Sequence, residues 1–130
     1  MNKKTIAILM RVALGAIFII FGLNGFLHFI SMPPLPDQAA KFMMGLGQSG
    51  YFFPLLKATE IVCGILILSG AFLPLGLVVL APIVLHIVLF HLFLEPSGLP
   101  FALFTLILEL GLAWVYKDAF QSILKKDHSI

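Results

Sequence analysis

The chain has 130 residues, of which 61% are hydrophobic and only 11% are charged, and its mean hydropathy is +1.11. Ordinary soluble domains contain roughly 45–50% apolar and about 25% charged residues, so this composition excludes a soluble globular protein and indicates an integral membrane protein. The net charge of +2 comes from a few basic residues placed where membrane topology needs them, which argues against nucleic-acid binding.

The first apolar segment, about residues 6–30, follows Lys3 and Lys4 in the manner of a secretory signal, but it is longer than a signal h-region. We therefore expect a retained first membrane helix. The uncharged run from Ile61 to Leu94 far exceeds the roughly 20 residues that one span needs, and a Leu-Pro-Leu-Gly sequence breaks it near its middle. A last apolar segment begins after Pro96-Ser97-Gly98.

Four membrane helices are predicted, near residues 6–30, 54–73, 75–94 and 99–117. Open sheet edges cannot face lipid, so we expect an all-α fold, an integral membrane four-helix bundle that forms one domain over residues 1–130. The basic residues lie mainly near the two termini, and the positive-inside rule then places both the N and the C terminus in the cytoplasm. These residues are Lys3, Lys4, Arg11, Lys117, Lys125 and Lys126.

The long first loop contains one segment that could be helical. Asp37 is positioned as a helix cap before several apolar residues, so residues 37–47 could form a short interfacial helix or a lid over the bundle. A mobile loop is the alternative at this point.

Most polar residues of the predicted spans fall in the outer half of the membrane. An ionisable side chain costs about 2.5–3.5 kcal/mol at a helix centre by insertion scales, so such residues are expected to turn inward and pair. We therefore predict an outer ligand pocket, and only Arg11 lies toward the inner side. The predicted pocket residues are Asn24, His28, Lys57, Glu60, His86, His91 and Glu109.

Lys57 and Glu60 project within about 60° of each other on a helix, close enough to form an ion pair. Such a pair either lines the pocket or locks its helix against a neighbour, and the sequence leaves both readings open. Arg11 shares a helical stripe with Gly15 and Gly22, which favours a structural anchor on the inner side, with snorkelling to lipid headgroups as the alternative.

Cofactor signals are weak. His86 and His91 point about 140° apart on one helix, which disfavours a metal site. His28 and His91 lie at similar depth, the minimal arrangement for haem, but nothing else supports haem. Hydrogen bonding and proton transfer are the roles expected for these histidines. Cys63 is the only cysteine, so the chain by itself lacks the pair of thiols that a disulfide shuttle requires.

Three blocks, RVALGAIFIIFGLNGFLHF at 11–29, GYFFPLLKATEIVCGILILSG at 50–70 and PLGLVVLAPIVLHIVLFHLFLEPSGLP at 74–100, resemble the DoxX family of small bacterial membrane proteins. The specific parts are Arg-x-x-x-Gly, Lys-x-x-Glu-x-x-x-Gly and Pro-x-x-x-His followed by Phe-His. The resemblance implies a four-helix bundle in the bacterial cytoplasmic (inner) membrane. Its relatives include a subunit associated with thiosulfate:quinone oxidoreduction, a member of an oxidative-stress oxidoreductase complex, animal proteins that assist receptor assembly, and proteins linked to disulfide chemistry. The lone Cys63 departs from the last of these patterns.

Three functions remain open from the sequence. The first is a redox-associated, quinone-linked subunit that binds a quinone or similar small ligand in the outer pocket. The second is a non-catalytic assembly or chaperone-like partner of other membrane proteins, and the third is movement of protons or small solutes. Expected partners are the lipid bilayer and oxidoreductase subunits or other membrane proteins, and a homo-oligomer is compatible with the sequence.

Overall fold

The computed structural model describes residues 2–130 and is helical, without β-strands in that range. Two short 3-10 helices, Pro96–Gly98 and Lys117–Phe120, flank the last long helix. The α-helices are α1 (Lys3–Leu27), α2 (Asp37–Gly47), α3 (Phe52–Ser69), α4 (Leu73–Phe93), α5 (Leu99–Val115) and α6 (Gln121–Leu124).

Four helical segments are long and apolar enough to cross a membrane, which confirms the predicted all-α membrane bundle. They are Lys3–Leu27, Phe52–Ser69, Leu73–Phe93 and Pro96–Val115. The predicted boundaries shift by a few residues for local reasons. Helix α3 begins before Pro54, so this proline lies in the first turn. The N–H groups of a first turn have no intrahelical hydrogen-bond partner, and a proline without an N–H is therefore tolerated there. Helix α3 ends at Gly70, whose φ of 83° stops the helix in the left-handed region.

The four long helices form a ring in which each packs on two neighbours. Helix α1 packs on α3 and α5, and α4 packs on the same two helices. All four contribute to one aliphatic core, with Leu14, Ile67, Leu80 and Leu112 fully buried. Lys3 of α1 and Tyr116 after α5 line one hollow, so both chain ends approach the same end of the bundle. We call this the terminal end and the opposite end, where α2 lies, the distal end.

The backbones of α1 and α3 nearly touch at two glycines. A Cβ atom on Gly15 would lie 2.9 Å from the Gly64 carbonyl oxygen, and one on Gly64 would lie 2.9 Å from the Gly15 carbonyl oxygen. A Cβ on Gly22 would meet the Ile61 side chain at 2.6 Å. Small residues allow membrane helices to approach so closely that their backbones make direct van der Waals contact. The absence of side chains at these positions therefore sets the spacing of α1 and α3.

Helix α2 covers part of the distal end and confirms the helix predicted at 37–47. Its Ala39 is fully buried, and the Phe42 ring lies 5.7 Å from the His86 ring and 6.0 Å from the Phe90 ring, both on α4. Pro36, and not Asp37 as expected, occupies the cap position. Asp37 is the first helical residue, and its carboxylate pairs with Lys41 at 3.3 Å on the exposed side.

We predict that Gly15→Ala lowers the free energy of unfolding by about 1–3 kcal/mol, because the new methyl group overpacks a backbone contact. The matched control is Gly45→Ala in α2, where a Cβ atom meets nothing within 4 Å. The control should be neutral or slightly stabilising, since alanine favours helix more than glycine. Unfolding in mixed detergent micelles, followed by circular dichroism, measures both. Equal stability of Gly15→Ala and the unmodified protein would contradict the close contact.

Candidate functional site

The Lys57–Glu60 pair lies inside the membrane-spanning part of α3. Lys57 Nζ is 3.0 Å from Glu60 Oε1, and the two side chains are 24% and 4% exposed. The Lys57 amine is thus the charged partner of Glu60 Oε1, and no second donor reaches this oxygen within residues 2–130. The predicted pairing of these two residues is therefore present, and it leaves one buried carboxylate oxygen with unused acceptor capacity.

Room for Lys57 comes from a glycine on the neighbouring helix. A Cβ atom on Gly25 of α1 would overlap the stem of the Lys57 side chain, with Cδ at 2.7 Å and Cε at 3.1 Å. The lysine stem thus lies across the α1 backbone before its amine turns to Glu60. Sequence reasoning missed Gly25, although its spacing of three residues from Gly22 on an apolar helix was a usable signal of close helix packing.

Glu109 lies on α5 among core leucines and is only 5% exposed. Its Oε1 has no hydrogen-bond partner among the residues that the structure describes. Its neighbour Leu108 belongs to the same buried core as Cys63 of α3. A carboxyl group in such surroundings needs a proton, a cation or a hydrogen-bond donor, which makes Glu109 a candidate functional residue.

A second polar group forms where α4 turns into α5. His91 Nδ1 lies 3.0 Å from both the carbonyl oxygen and Oε2 of Glu95, and the Ser97 hydroxyl donates a hydrogen bond to Glu95 Oε1. A Cβ on the adjacent Gly98 would lie 2.9 Å from Glu95 Oε2. The Ser97 hydrogen bond, assisted by the His91 ring, holds the pKa of Glu95 below its ordinary range. These contacts fix the turn at the distal end.

Asn24 and His28 lie at the end of helix α1, where both take part in ending the helix. Asn24 is buried, its Oδ1 accepts a hydrogen bond from the Ile30 N–H at 2.7 Å, and its carbonyl accepts one from the His28 N–H at 2.9 Å. His28 is exposed and has a φ of 53°, so it stops the helix in the left-handed region. Both residues are explained by the chain turning away from α1.

His86 is exposed on the outside of α4, where its ring stacks on Phe42. It therefore faces away from the bundle core, although it is one of the residues predicted for the outer pocket. The polar residues expected to share one pocket thus separate into the Lys57–Glu60 pair, the His91–Glu95 turn and Glu109. No hydrogen bond or ion pair within residues 2–130 joins these three groups.

Arg11 connects α1 to the end of α3. Its Nε donates to the Ile67 carbonyl at 3.3 Å and its Nη2 donates to the Leu68 carbonyl at 3.2 Å. Carbonyls in the last turn of a helix lack intrahelical partners and carry partial negative charge, so a guanidinium is a suitable donor for them. The guanidinium also packs against Gly70, where a Cβ would lie 3.0 Å from Cζ. This geometry agrees with the anchor role expected for Arg11.

Two hollows of the bundle lie away from these charged groups. One, of about 330 Å³, is an apolar groove between α3 and α4 that includes Thr59, Cys63 and Val79. The other, of about 450 Å³, lies between α1 and α5 at the terminal end and includes Lys3 and Arg11. Neither hollow contains Lys57, Glu60, His91 or Glu109. Within residues 2–130, no three His, Cys, Asp or Glu side chains come close enough to bind a metal ion together.

The sequence model of the DoxX family matches residues 6–94, more than half of the chain. The chain belongs to the DoxX family. The matched region runs from α1 through α4, so it contains Arg11, the Lys57–Glu60 pair and His91. Glu109 of this DoxX protein lies beyond the match, on α5. Comparison with curated proteins and comparison with solved structures each found no match.

We predict that the α4–α5 turn loses stability in acid, with a midpoint below that of an ordinary glutamate. Because the pKa of Glu95 is lower in the folded state, its ionised form stabilises the turn above the unfolded value of about 4.3. That contribution is lost as the pH falls through the lower folded-state pKa. Ser97→Ala removes the largest cause of the low pKa and should move the titration upward. Carbon-13 NMR of labelled glutamate carboxyl groups measures this midpoint.

The control is Ser49→Ala, which removes the hydroxyl that accepts the Phe52 N–H in a different turn. Ser49→Ala should leave the Glu95 titration unchanged. An identical Glu95 midpoint in Ser97→Ala and the unmodified protein would contradict the role of the Ser97 hydroxyl.

Proposed function

We propose that this DoxX-family protein is a redox-associated membrane subunit that binds a quinone, or a similar small ligand with carbonyl and hydroxyl groups, in its distal half. One observation carries the proposal. Glu60 and Glu109 are both buried within the membrane spans; Glu60 Oε1 has only the Lys57 amine as a partner, and Glu109 Oε1 has no hydrogen-bond partner among residues 2–130. Buried carboxyl groups are expensive in a lipid interior, so a bundle that keeps two of them has a reason to do so.

A quinone suits these groups in both of its redox states. Its oxidised form presents carbonyl oxygens, which the partly exposed Lys57 amine can approach as a donor. Its reduced form presents two hydroxyl groups, which can donate hydrogen bonds to the carboxylate oxygens of Glu60 and Glu109. Reduction consumes two electrons and two protons. In this proposal a partner oxidoreductase subunit supplies the electrons, and the two glutamates hold or pass the protons.

The groove between α3 and α4 offers a route for such a ligand. It is apolar, which suits an isoprenoid tail, and its lining includes the Cys63 side chain. Cys63 belongs to the same buried core as Leu108, the residue next to Glu109 on α5, so it lies between the groove and the part of the core that contains this carboxyl group. Glu60 precedes Cys63 by one helical turn on α3. A ligand head entering past Cys63 would therefore approach both carboxyl groups.

The proposed membrane is the bacterial cytoplasmic membrane, with both termini in the cytoplasm. Basic residues concentrate at the terminal end, whereas the distal connections carry only Lys41. This distribution matches the positive-inside rule. The predicted outer half then corresponds to the distal half that contains Lys57 and Glu60.

The second candidate is a non-catalytic partner in membrane-protein assembly. It is favoured by the packing around the charged residues, since Arg11 joins α1 to α3 and neither large hollow reaches Glu60 or Glu109. In that case the buried polar groups serve to fix helix positions or to dock another membrane protein.

Calorimetric titration with a short-chain quinol, kept reduced under anaerobic conditions, in detergent tests the proposal, because the reduced form carries the hydroxyl groups that the two glutamates would bind. Glu60→Gln and Glu109→Gln should each weaken binding about tenfold to a hundredfold, because each removes a charge-assisted acceptor. The matched control is Asp37→Asn, which removes an exposed carboxylate of α2 and should bind as the unmodified protein does. Absence of binding would contradict the proposed function, and equal affinity in all variants would contradict the roles of Glu60 and Glu109 in binding. Unchanged affinity together with a lower yield of a native membrane complex would support the assembly function.

A further inference from the structure

The hollow at the terminal end combines positive charge with an apolar wall. It has a volume of about 450 Å³ and lies between the first half of α1 and the end of α5. Lys3, Lys4 and Arg11 bring three cationic groups to its lining, and Tyr116 brings a phenol. Ala7 and Val115 supply apolar surface between them. This combination of groups plays no part in the proposed quinone site, which lies in the other half of the bundle.

No acidic residue within residues 2–130 forms an ion pair with the cations of this hollow. No acidic residue belongs to its lining, and the ion pairs found within residues 2–130 involve Asp37, Glu60 and Glu95, all away from it. Arg11 uses Nε and Nη2 to bind carbonyls of α3, while its Nη1 makes no hydrogen bond among the described residues. These contacts leave the charge of the guanidinium uncompensated and one of its nitrogens free to bind an anion.

The hollow extends from the membrane surface inward. Lys3 begins the first membrane helix, and Arg11 lies eight residues further along α1, about 12 Å deeper at 1.5 Å per residue. Aromatic residues mark the surface level at the neighbouring end of α5, where Lys117 Nζ lies 4.1 Å from the centre of the exposed Trp114 ring. Tryptophan, tyrosine and lysine concentrate at membrane–water interfaces. The two lysines are thus at headgroup depth, and the apolar wall continues below them.

We propose that this hollow is a binding site for one anionic phospholipid. The phosphate group lies against Lys3 and Lys4, the Tyr116 hydroxyl and Arg11 Nη1 donate to headgroup or ester oxygens, and an acyl chain follows the Ala7–Val115 surface. A soluble phosphate would leave the apolar wall unused, and a zwitterionic lipid would bring no net negative charge to the three cations. Basic pockets between membrane helices are known to suit anionic headgroups.

Binding of phosphatidylglycerol to the purified protein, measured by native mass spectrometry and by thermal stabilisation in neutral detergent, tests this site. The double variant Lys3→Gln/Lys4→Gln should bind about thirtyfold more weakly, from about a fivefold loss for each lysine near an anionic surface. Both lysines are exposed in the first turn of α1, so the bundle should still fold. Protein in detergent has no membrane orientation, so an effect of the lysines on membrane insertion cannot change the measured lipid affinity.

The matched control is Lys125→Gln/Lys126→Gln, which removes the same charge from the exposed C-terminal segment after α6. It should leave affinity within about twofold, since the phosphate contacts are local. Equal losses in the two double variants would mean that only general basic charge attracts lipid. Equal binding of phosphatidylcholine, or equal stabilisation by inorganic phosphate, would also overturn the proposal. If the lysine variant does not purify, Tyr116→Phe decides, with weaker phosphatidylglycerol binding expected and unchanged binding contradicting the site.

Discussion

The near contact between the backbones of α1 and α3 at Gly15 and Gly64 determines where the polar groups of this bundle lie. Lipid is as apolar as leucine, so membrane helices associate through close packing and polar contacts and not through the hydrophobic effect. The glycines bring the two helices together. On either side of this contact, a basic side chain of one helix lies against the other helix. Arg11 binds carbonyls at the end of α3, and Lys57 lies across Gly25 of α1.

This arrangement explains how the bundle tolerates Lys57 and Glu60 within a span. The lysine stem packs on a glycine backbone, and its charge faces that of a carboxylate which is almost fully buried. The attraction between the two groups offsets part of the desolvation of both. Glu60 Oε1 has only this amine as a partner and can accept a further hydrogen bond, and Glu109 Oε1 on α5 has no hydrogen-bond partner within residues 2–130. The proposed ligand site rests on these two oxygens, whereas the proposed lipid site rests on separate charges at the opposite end.

Much of this fold follows from the sequence, because apolar length and helix-breaking residues are local properties. The four spans, the helix at 37–47, the Lys57–Glu60 pair and the divergence of His86 from His91 depend on helical periodicity and are present in the structure. The start of α3 was less predictable, since a proline in the first turn costs little. The roles of Asn24 and His28 depend on where α1 ends, and a side chain near a helix end can serve as a cap instead of lining a site.

The shared outer pocket shows what sequence alone could not provide. Depth in the membrane follows from topology, but the neighbour that a side chain meets depends on the order of helices around the ring. That order places the His86 ring against Phe42 of α2 and buries Glu109 in the core. The sequence also did not predict the hollow between α1 and α5, because its cations come from the start of the first span and its phenol comes from the end of the last span.

A double-mutant cycle on Lys57 and Glu60 tests the central claim most directly, that this pair is a coupled charge unit held by the α1–α3 contact. The free energies of unfolding in lipid bicelles would be compared for the unmodified protein, Lys57→Met, Glu60→Gln and the double variant. The account predicts that the two residues are coupled by about 0.5–3 kcal/mol, so that the double variant is more stable than the summed single losses imply. Strictly additive losses would contradict it.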